Sequence, residues 1–235
     1  MCKVSLYKDI FKNKEHLPCY NSHAIASQLH HIPGLANKYL YFNDDIIVGR
    51  VVTRRTFFNE YDQAKCFYSN RVSVPPTGKS ECYSFVDNAA INNREVLEKK
   101  FQRTLRRKFK HTPIAVLKDV MVEIEETFPE IFDATTVSPI RSNTDFSLAG
   151  SFYFNYAMNV GRMYPAGIKY RYLNLGASGF NKAINLIGSQ KEGERPQVFC
   201  VNSVDITDMY EVNVRRFNKV MEKMFPLKCR HELEG

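Results

Sequence analysis

The chain has 235 residues, of which 44% are hydrophobic and 13% are aromatic, so it is long enough to bury one substantial core. It contains no apolar run of about eighteen residues, and the N-terminal segment MCKVSLYKDIFKNKEH lacks the apolar centre of a signal peptide. The sequence therefore predicts neither a membrane span nor a secretory leader. We expect a single cytoplasmic domain over residues 1–235.

The formal net charge of +8 indicates attraction to anionic partners such as nucleotide sugars, phosphorylated glycans, an anionic membrane or nucleic acid. Much of it lies in one predicted helix, at Lys99, Lys100, Arg103, Arg106, Arg107, Lys108 and Lys110. Such a stripe is either a solvated helix face or a surface that contacts a polyanion or the inner membrane face. Nucleic acid is not expected, because Phe101 and Phe109 fall on the apolar stripe of the same helix.

The six cysteines show neither C-x-x-C pairing nor the Cys/His spacing of a zinc site. Without a leader sequence, free thiols are expected rather than disulfides.

The first predicted elements are a short helix, which Ser22 caps and Pro33-Gly34 ends, and a strand from Tyr39 to Phe42. Residues 50–90 mix short apolar runs with the loop-forming Pro75-Pro76-Thr77-Gly78 and predict a lid or an inserted hairpin.

Two consecutive helices are predicted from Asn92 onwards. In the first helix, apolar residues recur every four positions to Phe109. In the second, Thr112 caps the helix and Pro113 occupies its first turn. The apolar stripe of this second helix runs to Phe128. The remaining predicted elements are a buried helix over 144–160, a strand over 197–201 and a closing helix over 209–224. Strands alternating with helices predict an α/β, Rossmann-like layered domain with a mostly parallel sheet and flanking helices.

Two adjacent carboxylates, Asp44 and Asp45, follow the first predicted strand. Sites in such folds lie beyond the carboxyl ends of strands, where paired carboxylates can hold a divalent cation that neutralises a phosphate. An ordinary turn explains the Asn43-Asp44 pair as well. Because Asn202 follows another predicted strand, we expect it to converge with the two aspartates at one edge.

The segment from Asn21 to Gly49 closely resembles the second sequence block of the Stealth family of sugar-phosphate transferases. The resemblance is carried by Asn21-Ser22-His23-Ala24-Ile25, His30, Ile32-Pro33-Gly34-Leu35, Tyr41-Phe42-Asn43-Asp44-Asp45, His111-Thr112-Pro113, Phe128-Pro129-Glu130, and Arg141 and Asp145 in RSNTDFSLAGSFYFNYAM. A fainter fourth block includes Val198 to Asn202. The family's first block has no counterpart here, so we expect a Stealth-like catalytic domain that is incomplete at its N-terminus.

This resemblance implies transfer of a sugar-1-phosphate from a nucleotide-diphosphate sugar to a glycan hydroxyl, as in capsule or cell-surface polysaccharide synthesis. Asp44 and Asp45 are expected to carry Mg²⁺ or Mn²⁺, and the planar fork of Arg141 to clamp the phosphate. His111 is the expected general base, since an imidazole accepts a hydroxyl proton near neutral pH. The expected substrate-binding residues are Asn21, His23, His30, Asn43, Asp145 and Asn202.

Alternatives remain open at several of these positions. His111 can simply cap a helix or lie on the surface, and Asp145 can form an intrahelical ion pair with Arg141. Ala26 and Ser203 stand where the family usually has acidic residues. A non-catalytic homologue that binds a sugar nucleotide or a glycan is therefore the alternative function.

Overall fold

The computed structural model describes residues 4–72, 83–103, 106–203 and 206–227, with the backbone alone for residues 70–72. Its α-helices are α1 (Tyr7–Ile10), α2 (Ser22–Ser27), α3 (Arg54–Phe57), α4 (Phe85–Phe101), α5 (Lys118–Thr127), α6 (Pro129–Thr136), α7 (Tyr153–Asn159), α8 (Phe180–Ser189) and α9 (Tyr210–Met224). Its strands are β1 (Lys38–Tyr41), β2 (Ile46–Val48), β3 (Ala64–Cys66), β4 (Tyr68–Val72), β5 (Arg107–Phe109), β6 (Ile114–Leu117), β7 (Met163–Pro165), β8 (Tyr170–Asn174) and β9 (Val198–Asn202). Short 3-10 turns occupy Lys14–His16, Leu29–His31 and Glu192–Glu194, and a π-helical turn, Leu148–Phe152, leads into α7.

The described strands form four small sheets in a mixed α/β structure. β1 pairs antiparallel with β6, β4 antiparallel with β5, and β3 parallel with β7, while β9 lies between antiparallel β2 and parallel β8. The expected mostly parallel Rossmann sheet is wrong for the part of the chain described. A parallel pair needs a long crossover, and β8–α8–β9 supplies one, whereas a short turn joins β1 to β2 and sends them into different sheets.

The predicted helix start at Thr112 is also wrong. Residues Ile114–Leu117 form β6, which pairs with β1 from Lys38 opposite Leu117 to Tyr41 opposite Ile114, and α5 begins only at Lys118. A short, fully apolar run fits a buried strand as well as a helix face, and the partner strand decides between them. His111 therefore lies in the segment between β5 and β6, not at a helix N-terminus.

The predicted basic helix is divided between two elements. α4 ends at Phe101, where Gln102 takes a left-handed conformation with φ of 53°, and Arg107–Phe109 forms β5 against β4. Lys108 Nζ lies 2.6 Å from Asp87 Oδ1, and the Arg107 guanidinium stacks 4.1 Å from the Tyr68 ring centroid. A single basic stripe is therefore not formed, and contact with an anionic membrane stays a prediction.

Other predicted elements are confirmed. The first predicted helix forms as α2 and the following 3-10 turn. Its cap is Asn21 rather than Ser22, since Asn21 Oδ1 accepts from the His23 backbone N–H at 3.0 Å. The strands at β1 and β9 and the closing helix α9 also form, and α7 with its π-helical turn covers most of 144–160.

The core has a large and a smaller cluster that together position the site. In the large cluster, β6 and α5 pack against α7, and the Tyr153 hydroxyl donates to the Ala115 carbonyl at 3.1 Å. In the smaller cluster, α8 and α9 pack on β8 and β9. These clusters support β1 and β9, the strands whose ends carry the predicted polar residues.

Three further expectations concern the lid, the cysteines and a membrane span. Pro75-Pro76-Thr77-Gly78 lies outside the described residues, so the lid stays a prediction. Cys19, Cys66 and Cys200 are buried free thiols, as expected. Among the described helices, none combines the length and the hydrophobicity that crossing a bilayer requires.

Candidate active site

Polar side chains from three segments meet beyond the ends of β1 and β9. His111 Nε2 lies 3.0 Å from Asp45 Oδ1, and Asn43 Nδ2 lies 3.0 Å from the same ring nitrogen. On the other carboxylate oxygen, Asn202 Nδ2 donates to Asp45 Oδ2 at 3.0 Å and the Cys200 thiol donates at 3.2 Å. The expected convergence of Asp45 and Asn202 is confirmed, and His111 joins them.

Local pairing of the backbone sets this geometry. The Val201 N–H donates to the Asp45 carbonyl at 2.9 Å, so the residue before β2 is already held against β9. Side chains two residues apart on a strand share a face, which directs Cys200 and Asn202 to the same carboxylate. Asp45 is thereby fixed before any ligand binds.

The Asp45 carboxylate is ionised at neutral pH. Burial acts to raise the pKa of Asp45, but the hydrogen bond and charge of His111, together with the Cys200 bond, outweigh it and lower that pKa. The carboxylate can only accept, so His111 Nε2 carries the hydrogen in its contact with Asp45. The Asn43 amide, whose nitrogen and oxygen positions are interchangeable, then turns its oxygen rather than its NH₂ toward that nitrogen. In the neutral ring the lone pair is then on Nδ1, and the side chain keeps 43% of its surface exposed.

Cys200 was not predicted as a site residue. Burial, followed by the neighbouring Asp45, raises the pKa of its thiol, so Cys200 is neutral and acts as a donor. The Tyr170 hydroxyl, on β8, lies against both this thiol and the backbone of His111. The signal available in the sequence was the two-residue spacing between Cys200 and Asn202.

The two adjacent aspartates have different surroundings. Both oxygens of Asp45 are engaged by protein donors, whereas Asp44 is exposed to solvent. The remaining neighbours of Asp45 offer nitrogen and sulfur, which Mg²⁺ and Mn²⁺ bind less readily than oxygen. The arrangement therefore fits a hard cation held chiefly by Asp44 with ligand and water oxygens. The predicted metal pair stays a prediction.

Arg141 lies next to the start of α2. Its Nε and Nη2 contact Ser22 Oγ at 3.0 and 2.6 Å, and the side chain is otherwise open to solvent. Burial and the charges of Asp44 and Asp45 raise the pKa of Tyr41, while the charge of Arg141 opposes them. The Tyr41 hydroxyl is therefore within electrostatic range of Arg141 and of both aspartates.

Asp145 does not pair with Arg141 in the described structure, because residues 141–147 form a turn rather than a helix. Its fully buried carboxylate accepts from Asn21 Nδ2 at 2.8 Å and from the backbone N–H and hydroxyl of Ser142 at 3.0 and 2.8 Å. His23 Nδ1 lies 3.5 Å from the same group. Asn21, His23 and Asp145 thus form a buried junction that fixes the turn carrying Arg141.

His30 lies in a third group. Its Nε2 contacts Glu125 Oε2 at 2.9 Å, and the ring is buried against Phe132. None of its described contacts is with Asp45 or His111.

Comparisons with known proteins define the class. Residues 2–66 match Stealth protein CR2, conserved region 2, and residues 110–159 match Stealth protein CR3, conserved region 3. The chain therefore belongs to the Stealth family of phosphotransferases. Asn43 and Asp45 lie in the second conserved region and His111 in the third, so their contact joins the two matched regions.

Particular relatives are similar over most of this chain. Exopolysaccharide phosphotransferase SCO6021 of Streptomyces coelicolor is 36% identical over 200 residues, which cover 85% of this chain and 36% of the relative. Exopolysaccharide phosphotransferase CpsY of Mycobacterium tuberculosis H37Rv is 33% identical over 221 residues, which cover 94% of this chain and 41% of the relative. The chain thus spans well under half the length of these relatives.

Proposed function

We propose that this chain transfers a sugar-1-phosphate from a nucleotide-diphosphate sugar to a glycan hydroxyl in exopolysaccharide synthesis. Its relatives are exopolysaccharide phosphotransferases, which supports a phosphotransferase activity for this chain. The observation that supports the proposal is the 3.0 Å contact between His111 and Asp45, because an imidazole held by a carboxylate at the junction of the two family regions is suited to accept a proton.

In the proposed reaction the acceptor hydroxyl oxygen attacks the sugar-bearing phosphorus of the donor. A new P–O bond forms to the acceptor, the P–O bond to the second phosphate breaks, and the nucleoside monophosphate leaves with its electron pair. The hydroxyl proton passes to His111 Nδ1, and the imidazolium that results is stabilised by Asp45 at Nε2. Among the described groups in contact with Asp45, His111 is the one that combines a basic lone pair with exposure to a substrate.

Binding of the donor phosphates falls to Arg141 and to the exposed carboxylate of Asp44. The guanidinium can exchange its contact with Ser22 for two phosphate oxygens. A Mg²⁺ or Mn²⁺ held by Asp44 would supply charge neutralisation at the phosphates when bound. Asn43 and Asn202 support His111 and Asp45 rather than the substrate in this account.

The second candidate function is a non-catalytic homologue that binds the sugar nucleotide or the glycan. The observation that favours it is Ala26, which stands where the family usually has an acidic residue and packs partly buried against the large core cluster. A methyl group can neither move a proton nor bind a sugar hydroxyl.

The test is release of nucleoside monophosphate from UDP-N-acetylglucosamine and other nucleotide-diphosphate sugars, with Mn²⁺ and an oligosaccharide acceptor. We expect His111→Asn to slow release by about 100-fold or more. His16→Gln is the matched control, since His16 hydrogen-bonds to Thr136 outside the site, and it should leave the rate unchanged. Equal rates in wild type and His111→Asn contradict the mechanism, and calorimetric donor binding without turnover favours the non-catalytic homologue.

A further inference from the structure

A second group of ligand-type side chains lies apart from the candidate active site. His30 Nε2 and His31 Nε2 approach the same oxygen, Glu125 Oε2, at 2.9 and 2.8 Å. One ligand atom from each of the three residues lies within 4.8 Å of the others. The His30 side chain is completely buried, and the Glu125 side chain is 12% exposed.

The hydrogen bonds of His31 leave its Nε2 without a hydrogen to share with Glu125. Its Nδ1 lies 2.9 Å from the Ile10 carbonyl, which can only accept, so the ring hydrogen is on Nδ1. A neutral His31 then directs the Nε2 lone pair at Glu125 Oε2, a close approach of two electron-rich atoms. A cation is required between them, and it is either a proton on His31 or a metal ion.

We propose that His30, His31 and Glu125 form a binding site for a Zn²⁺-like transition-metal ion. Two imidazole nitrogens and one carboxylate oxygen are a zinc-type donor set, and imidazole selects Zn²⁺, Ni²⁺ or Cu²⁺ over Mg²⁺. The Nδ1–H bond from His31 to the Ile10 carbonyl is the outer contact that metal-bound histidines usually make. Binding requires the three ligand atoms to separate by about half an ångström.

The surroundings of Glu125 allow an ion to enter. Glu125 lines a cavity of about 290 Å³ that opens between the N-terminal segment and α6, and this cavity can hold a water molecule as a further ligand. The one cation in described contact with Glu125 is Lys12, whose Nζ lies 3.5 Å from Oε1 but whose side chain is 77% exposed and free to swing away.

A metal here would tie the 3-10 turn Leu29–His31, and through His31 the end of α1, to α5. These elements lie far apart in sequence, which is why ligand spacing along the chain gave no signal. The site shares no residue with Asp45, His111 or Cys200, so it stands or fails independently of the proposed transferase activity.

The test is titration of chelator-treated protein with Co²⁺ and Zn²⁺. We expect one equivalent to bind with about micromolar affinity or tighter, visible absorption typical of tetrahedral Co²⁺, and a melting temperature about 5 °C higher at a 100-fold excess of Zn²⁺ over Kd. Glu125→Gln and His31→Gln should each weaken binding at least 100-fold. His16→Gln and His111→Gln are matched controls and should bind as wild type.

Three results would overturn the proposal. The first is the absence of binding by wild type at millimolar metal, and the second is undiminished binding by Glu125→Gln and His31→Gln. The third is loss of binding in His111→Gln, which would assign the ion to the Asp45 cluster. Circular dichroism of the metal-free variants checks folding. If Glu125→Gln does not fold, the His31→Gln variant alone tests the proposal, because His31 is partly exposed and its substitution should be tolerated.

Discussion

At the residue scale, Asp44 and Asp45 show how neighbours with the same chemistry acquire different roles. The two lie in the turn between β1 and β2, which the bond from the Ile46 N–H to the Asn43 carbonyl closes at 3.2 Å. Asp45 contacts Cys200 and Asn202, whereas Asp44 faces solvent. From the sequence alone, the two carboxylates are expected to form one metal clamp. The structure instead engages Asp45 with His111 and leaves Asp44 exposed to solvent.

Substitution of each aspartate by asparagine should therefore affect different quantities. Asp45→Asn removes the charge that orients and stabilises His111, and we expect kcat to fall by about 10² to 10⁴. Asp44→Asn should mainly raise the Mn²⁺ concentration needed for the half-maximal rate. Steady-state rates measured across a Mn²⁺ titration separate the two effects, and a metal dependence altered only by Asp45→Asn would reverse the assignment.

Asp145 should matter for stability as much as for activity. Asp145→Asn replaces a fully buried acceptor and puts an amide N–H₂ among the donors of Asn21 and Ser142, so we expect a loss of about 2–4 kcal/mol in the free energy of unfolding. Urea denaturation measures it. The exposed Glu130→Gln on α6 is the control and should change stability by less than about 0.5 kcal/mol. A similar, small effect of both substitutions would contradict the structural role of Asp145.

At the element scale, long amphipathic segments were predictable and short apolar ones were not. α9 carries its pattern over four turns and formed as expected. Ile114–Leu117 is compatible with either period, and it becomes a strand because β1, far back in the chain, pairs with it. The mostly parallel sheet failed for the same reason, since strand partners are set by contacts that local patterns do not contain.

The residues of the candidate site were predictable only where a local motif marks them. Asp45 and His111 could be named because each lies in a motif that resembles the family. Cys200 is harder to name: its two-residue spacing from Asn202 puts both side chains on one face of β9, but the strand alone does not say that this face meets Asp45. An ion pair between Arg141 and Asp145 is one interpretation of their four-residue spacing, but the turn at 142–145 directs Asp145 inward to Asn21 and leaves Arg141 on Ser22.

The contact between α8 and α9 yields a test of the packing. A Cβ at Gly188 would lie 2.6 Å from Val220 Cγ1, and a β-branched valine has little freedom to move. Gly188→Ala should therefore lower the free energy of unfolding by about 1–3 kcal/mol, although alanine favours helices by about 1 kcal/mol. Thermal and urea unfolding measure it.

Gly167 provides the comparison for this substitution, because a Cβ there meets nothing within 4 Å and the residue lies outside the helices and strands. Gly167→Ala should be close to neutral, and Val220→Ala should restore part of the loss in the Gly188→Ala background. Stabilisation by Gly188→Ala alone would show that the two helices are not in close contact.

At the scale of the whole molecule, buried and half-buried carboxylates tie distant segments together. Asp145 joins α2 to the Arg141 turn, Asp45 joins β2 to His111, and Asp87 joins α4 to β5 through Lys108. In each case burial acts to raise the pKa, but hydrogen bonds to the charged form outweigh it, so the pKa of each group is lowered. Because the net charge is +8, ionised carboxylates also reduce the repulsion among the basic side chains of the folded chain.

The pH dependence of stability follows from these shifts. A lowered pKa means that the unfolded chain binds protons first, so the stabilisation is complete above about pH 5 and is lost as pH falls through about 4 and below. We expect the melting temperature to drop steeply between about pH 5 and pH 2. The Asp145→Asn variant should show a shallower decline, and identical pH profiles for variant and wild type would contradict the linkage.

The proposed mechanism requires Asp45 to hold His111 with its hydrogen on Nε2, so that Nδ1 is the base. Two-bond ¹H–¹⁵N correlation spectra of the ¹⁵N-labelled protein at slightly alkaline pH report which ring nitrogen carries the hydrogen, with His111→Asn used to assign the signals. We predict the Nε2–H form in wild type and its loss or mixing in Asp45→Asn. A predominant Nδ1–H form in wild type, or identical spectra in the two proteins, would contradict the account.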